Sequence, residues 1–116
     1  MAQKRTRTIM SKPLISTVRK SGNTLYLSGI IGRGETKEAR FRNTFDKIKG
    51  VLEANGLTME DVVKAVVYLE DINDRPAILN PLWREYFPND PPTRTCVESG
   101  LNGGQIEITI TAAIPE

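Results

Sequence analysis

The chain has 116 residues, 39% of them hydrophobic and 26% charged, which is the size and mix of one globular domain spanning residues 1–116. Histidine is absent and Cys96 is the only cysteine. This excludes Ser-His-Asp and Cys-His nucleophiles, paired-histidine ribonuclease chemistry, His-ligated or Cys-pair metal sites and an internal disulfide. The formal charge of +2 is unevenly placed, because residues 1–34 carry seven basic side chains and no acidic one.

Met1–Ser11 is basic but lacks the apolar stretch of a signal peptide, so a cytoplasmic protein is expected. Arg5–Ile9 and Ile15–Lys20 read as short, partly exposed strands, with Arg5 and Arg7 on one face and Thr6 and Thr8 on the other. The basic residues Lys4, Arg5, Arg7, Lys12, Arg19, Lys20 and Arg33 have two readings: a patch for a polyanion, or a solvated edge hairpin guarded by charge. The second is favoured, and no nucleic-acid partner is expected. Ser21-Gly22-Asn23 supplies a turn, and Thr24–Ile31 reads as the next strand.

After Gly32-Arg33-Gly34, the spacing of Phe41, Phe45, Ile48 and Leu52 predicts a helix over 36–55, closed by Asn55-Gly56 as a left-handed cap. A turn at Thr58–Asp61 leads into Val62–Leu69. This nearly all-apolar strand should be buried on both faces, by the chain's own helices or by a partner subunit, and it is far short of the roughly 20 residues of a membrane span. Asp74 is a candidate N-cap, with Pro76 in the first turn of a second helix over Arg75–Phe87; Pro81 should kink it or restart it with Asn80 as a new cap. Thr93–Ser99, a glycine-rich loop over Gly100–Gly104 and Gln105–Ala113 read as a closing hairpin. The order is βββαβαββ, an α+β domain with a mixed sheet and two helices on one face.

Strand alternation puts Arg94, Cys96 and Glu98 on one face, and Glu107 with Thr109 and Thr111 on the face opposite Ile106, Ile108 and Ile110. The guanidinium fork of Arg94 suits a carboxylate ligand, but residue types alone favour a structural ion pair with Glu98 or Glu107. Glu107, flanked by isoleucines, should be partly desolvated and suited to acid/base work. Cys96 reads as a small buried hydrophobe rather than a nucleophile. Ser28-Gly29 offers either a hydroxyl with close backbone approach to a ligand or an ordinary bend.

The run Pro92-Thr93-Arg94-Thr95-Cys96-Val97-Glu98, followed by Ile106-Glu107-Ile108, resembles the C-terminal signature of the RidA/YjgF family of imine deaminases. The likeness extends through Leu27-Ser28-Gly29, Ala54–Leu57, Asp61–Lys64, Tyr68–Asp74, Asn80 and Tyr86-Phe87-Pro88, covering roughly residues 15 to 113. It implies a chorismate-mutase-like subunit in a homotrimer with clefts between subunits. It further implies an activity in which Arg94 clamps the carboxylate of a 2-imino or 2-enamino acid while Glu107 positions water, releasing ammonia and a 2-oxo acid. By the same resemblance Ser28, Gly29, Asn80 and Cys96 line the cleft, and no cofactor or metal is required. Two departures stand out. The family's G-P-Y tyrosine aligns with Ile15 in Pro13-Leu14-Ile15, and Ser28-Gly29-Ile30-Ile31-Gly32 replaces S-G-Q-I-P. A regulatory protein that binds a small carboxylate without turning it over is the alternative, and an RNA-acting translation inhibitor, supported only by the basic N-terminal third, is a less favoured third reading.

Overall fold

The computed structural model describes residues 13–116. The first expected strand, Arg5–Ile9, and the basic residues Lys4, Arg5, Arg7 and Lys12 lie outside the described residues. Five strands are seen: β1 (Val18–Ser21), β2 (Thr24–Leu27), β3 (Val62–Leu69), β4 (Thr93–Glu98) and β5 (Ile106–Ala113). They form one sheet in the order β1-β2-β5-β3-β4, antiparallel except for the parallel pair β3–β4. No helix among the described residues is long and apolar enough to cross a membrane.

Helix α1 (Lys37–Ala54) begins where the Thr36 hydroxyl accepts the Ala39 N–H at 3.1 Å. Its predicted stripe is the core: Phe41, Phe45, Ile48 and Leu52 are all fully buried. Gly56, at φ 76°, takes the left-handed conformation expected after the helix. The stripe packs on one sheet face, where Leu25, Leu27, Ala65, Val67, Leu69, Ile106, Ile108 and Ile110 are buried. Within one subunit β3 is covered on one face only. Val62, Ala65, Val67 and Leu69 are buried, whereas Val66 and Tyr68 on the other face stay partly open because no helix covers that side.

The expected hairpin between the last two strands does not form. β3 lies between them, with Ala65 opposite Arg94 on β4 and opposite Ile110 on β5. A chain leaving β3 through a helix returns naturally as a parallel neighbour, and this leaves the other edge of β3 for β5.

The second helix also differs from its sequence reading. The chain winds in π-type turns over Arg75–Leu79, where the Asn80 N–H reaches the Arg75 carbonyl, and continues as α2 (Asn80–Tyr86). Pro81 is thus absorbed by local widening, and Asn80 sits inside the helix instead of capping it. Asp74 makes no capping bond either; its carboxylate, nearly buried, pairs with the Lys37 ammonium at 3.0 Å.

β2 ends at Leu27, short of the predicted Ile31. Ladder partners sum to 137 through Tyr26–Thr111, but the bridge Ile30–Ile108 sums to 138, so one extra residue is inserted between Leu27 and Ile30. Ser28 and Gly29 therefore form a bulge, a device that re-aims residues beside functional sites.

Candidate functional site

Arg94 stands on β4, an edge strand, and shares its sheet face with buried Ala65, so its side chain runs toward the helices. Its Nη1 donates to Asn80 Oδ1 at 3.0 Å, and its guanidinium carbon lies 4.9 Å from the centre of the Trp83 ring. Asn80 and Trp83 are three apart on α2 and so present one face to the arginine. Trp83 is held in turn by Phe45 and Phe87, whose ring centres lie 5.8 and 4.8 Å away.

The ion pair favoured by residue types is absent: Arg94 makes none among the described residues. Glu98 instead accepts the Ile72 N–H at 2.9 Å and pins the loop before α2. The arginine is thus oriented by a neutral amide and an aromatic face, neither of which cancels its charge. Cys96, two residues on and half-buried, has its thiol pKa raised by burial, with Arg94 and Arg75 opposing the shift. A thiol that holds its proton this way is a weak nucleophile at neutral pH.

Glu107 belongs to a different neighbourhood. It alternates with Ile106 and Ile108 and so points to the uncovered sheet face, and β3 separates its strand from that of Arg94. Two interstrand spacings, roughly 10 Å, and the thickness of the sheet lie between the two side chains. The bulge brings Gly29 against Glu107, where a methyl group on Gly29 would overlap the carboxylate. Ser28 is beside it, its hydroxyl donating to the Ser16 carbonyl at 2.7 Å. Ile15, where the resemblance would put the tyrosine, is 72% exposed.

The residues singled out from sequence therefore fall into two groups: Arg94, Cys96 and Asn80 on the helix side, and Ser28, Gly29 and Glu107 on the open side. Sequence reasoning missed Trp83 and Tyr68, the latter pairing with Glu107 across β3–β5 and sharing its face. The i, i+3 spacing of Asn80 and Trp83 was a usable signal for the first. Tyr68 could be found only by knowing which strand is its neighbour.

The chain matches the family model described as Endoribonuclease L-PSP over residues 8–114. It is 36% identical over 90 residues to the 3-aminoacrylate deaminase RutC of Acinetobacter baylyi, a match covering 71% of each chain. It is 39% identical over 84 residues to the 2-iminobutanoate/2-iminopropanoate deaminase of Dermatophagoides farinae, covering 66% of this chain and 65% of that one. Its fold superposes on a YjgF family member from Neisseria meningitidis with a TM-score of 0.83 at 29% identity, covering 91% of this chain and 92% of the other. The sheet order, the two helices on one face and a family match over nearly the whole length agree: the chain has the chorismate-mutase-like fold and belongs to the YjgF/RidA family.

Proposed function

We propose that the protein is a 2-imino/2-enamino acid deaminase whose site forms between two copies of the chain. The observation that carries this reading is Arg94, oriented by Asn80 and Trp83 but left without a carboxylate among the described residues. Such a guanidinium is ready for a substrate carboxylate. Relatives named as deaminases of 3-aminoacrylate and of 2-iminobutanoate/2-iminopropanoate support the substrate class.

In the proposed reaction Arg94 grips the carboxylate of an imine such as 2-iminopropanoate. Glu107 orients a water whose oxygen bonds to the imine carbon, and the proton it sheds passes to nitrogen. The tetrahedral adduct then passes its hydroxyl proton to nitrogen as the C–N bond breaks, releasing ammonia and the 2-oxo acid. An imine carbon is already electrophilic, so positioning, a charge clamp and a proton carrier suffice.

Arg94 and Glu107 cannot meet on one substrate within a single subunit, because they face opposite sides of the sheet. Apposing the helix-side edge of one copy to the open face of the next would unite them. This is a heterologous contact, and a homotrimer is a closed ring that satisfies it. A cytoplasmic location goes with this reading and is checked by cell fractionation.

The test is complementation. Arg94→Ala and Glu107→Gln variants are each expected to release ammonia from enzymatically generated 2-aminoacrylate no faster than uncatalysed hydrolysis does. Refolded together in equal amounts, they should recover about a quarter of the parental rate, since one interface in four joins the two intact halves. Mixed subunits that exchange yet stay inactive would refute a shared site.

The alternative, carboxylate binding without turnover, draws on the exposed Ile15 where the family carries a phenol. It predicts Arg94-dependent binding of pyruvate with no ammonia released by the parent protein.

A further inference from the structure

Away from Arg94, a groove of about 530 Å³ runs between residues 31–34, which follow the bulge, and the loop 101–104 before β5. Arg33, Arg40 and Lys47 contribute to its lining. Arg40 donates from Nε to the Gly34 carbonyl at 2.8 Å and from Nη1 to Gln105 Oε1 at 2.6 Å. Lys47 donates to the Ile31 carbonyl at 3.0 Å. Both cations are therefore held in place by uncharged oxygens.

None of the three enters an ion pair among the described residues, whose ion pairs use Lys37 and Arg42. Residues 1–12 contain no acidic side chain that could neutralise them. Two carboxylates are near in the chain. Glu35 follows Gly34 and is exposed, and Glu70 accepts the Leu101 N–H at 2.8 Å.

The wall carrying these charges is rigid. The Gly32 N–H donates to Thr44 Oγ1 at 2.9 Å and the Arg33 N–H to Asn43 Oδ1 at 2.8 Å. A methyl group on Gly32 would overlap the Thr44 amide and the Arg40 carbonyl, and one on Gly34 would come within 2.8 Å of the Ala39 Cβ. The loop is thus docked on α1 as closely as its glycines allow. The facing wall turns through Asn102 and Gly103, at φ 49° and 99°. Cations fixed in advance lose little freedom when an anion arrives, so more of their attraction appears as affinity.

We propose that this groove is a second anion site, distinct from the Arg94 site, and that it takes a small molecule bearing a phosphate group. Arg40 has committed Nε and one proton of Nη1, which closes its side-on fork to a carboxylate and leaves Nη2 without a partner among the described residues. Three cations lining one groove suit a tetrahedral group carrying close to two negative charges. The lining contains no aromatic side chain on which a base could stack, which argues against single-stranded nucleic acid.

The full-length, isotopically labelled protein is titrated with inorganic phosphate at constant ionic strength and followed by amide NMR. The expected result is a saturable shift at Gly32, Arg33, Gly34, Gly103 and Gly104, with Arg94 and Cys96 unmoved. Arg33 and Lys47 are exposed, so the double variant Arg33→Gln/Lys47→Gln should keep the parental melting curve. It should bind phosphate at least about tenfold more weakly. Shifts that never saturate, or an affinity unchanged in the double variant, would overturn the proposal. So would a ten-nucleotide RNA that binds the same amides more tightly than phosphate, which would reassign the groove to nucleic acid.

Discussion

Gly29 presents bare backbone to the carboxylate of Glu107, with no room between them for a methyl group. The obstructed atoms belong to the end of a flexible side chain, so a larger residue would displace the carboxylate rather than break the sheet. Gly29→Ala should therefore keep its melting temperature within a few degrees while kcat/KM for imine hydrolysis falls about a hundredfold, the scale of losing a positioned acid–base group. Parental activity in a folded Gly29→Ala protein would remove Glu107 from the proposed chemistry.

The clamp on the opposite side makes a separate prediction. Asn80→Ala removes the amide that steers the Arg94 guanidinium, and Arg94→Lys replaces the planar fork with a point charge that stacks poorly on Trp83. KM for the imino acid should rise about tenfold in the first variant and further in the second. An Asn80→Ala enzyme with unchanged KM would show that the amide does not steer the arginine.

Lys37 and Asp74 tie the start of α1 to the turns before α2, with the aspartate nearly buried and the lysine partly exposed. Lys37→Met would leave that carboxylate without its counter-charge, at a cost of about 1–3 kcal/mol in urea unfolding. Lys37→Met/Asp74→Asn should regain part of the loss, since it removes the stranded charge as well. A single variant as stable as the parent would mean the pair contributes nothing net.

Cys96 is expected to be slow toward iodoacetamide at neutral pH, its alkylation rate rising with a midpoint above the ordinary thiol value of 9.0. Folding raises this pKa, so the native chain holds the proton past the pH at which the unfolded chain releases it. The thiol therefore leaves stability unchanged below its ordinary range and lowers it as pH rises through that range. A midpoint below 9.0 would mean that Arg94 and Arg75 outweigh burial.

The local half of this structure was legible in the sequence. Phe41, Phe45, Ile48 and Leu52 announce both α1 and its buried face, and alternation alone separates Arg94, Cys96 and Glu98 from Thr95 and Val97. What alternation cannot convey is which strand lies alongside. The short glycine-rich loop suggested that β4 and β5 pair directly, whereas the crossover through α2 puts β3 between them. That one difference moves Glu107 away from Arg94 and brings Tyr68 beside it. Pro81 misled for a related reason: a proline's missing N–H can be absorbed by widening the preceding turns, so no new cap is needed and Asn80 remains available to Arg94.

The position of β5 also bears on how the chain is made. Its ladder partners are distant in sequence, Thr24 with Ala113 and Leu25 with Ala112, and it lies between two strands synthesised well before it. On a translating ribosome the β1–β2 hairpin and the β3–α2–β4 unit emerge as two pieces whose sheet edges await a common neighbour. Neither can close on the other until residues 106–113 have left the exit tunnel. Consolidation of the sheet is thus deferred until β5 arrives, and until then the facing edges of β2 and β3 carry backbone groups that await their ladder partners.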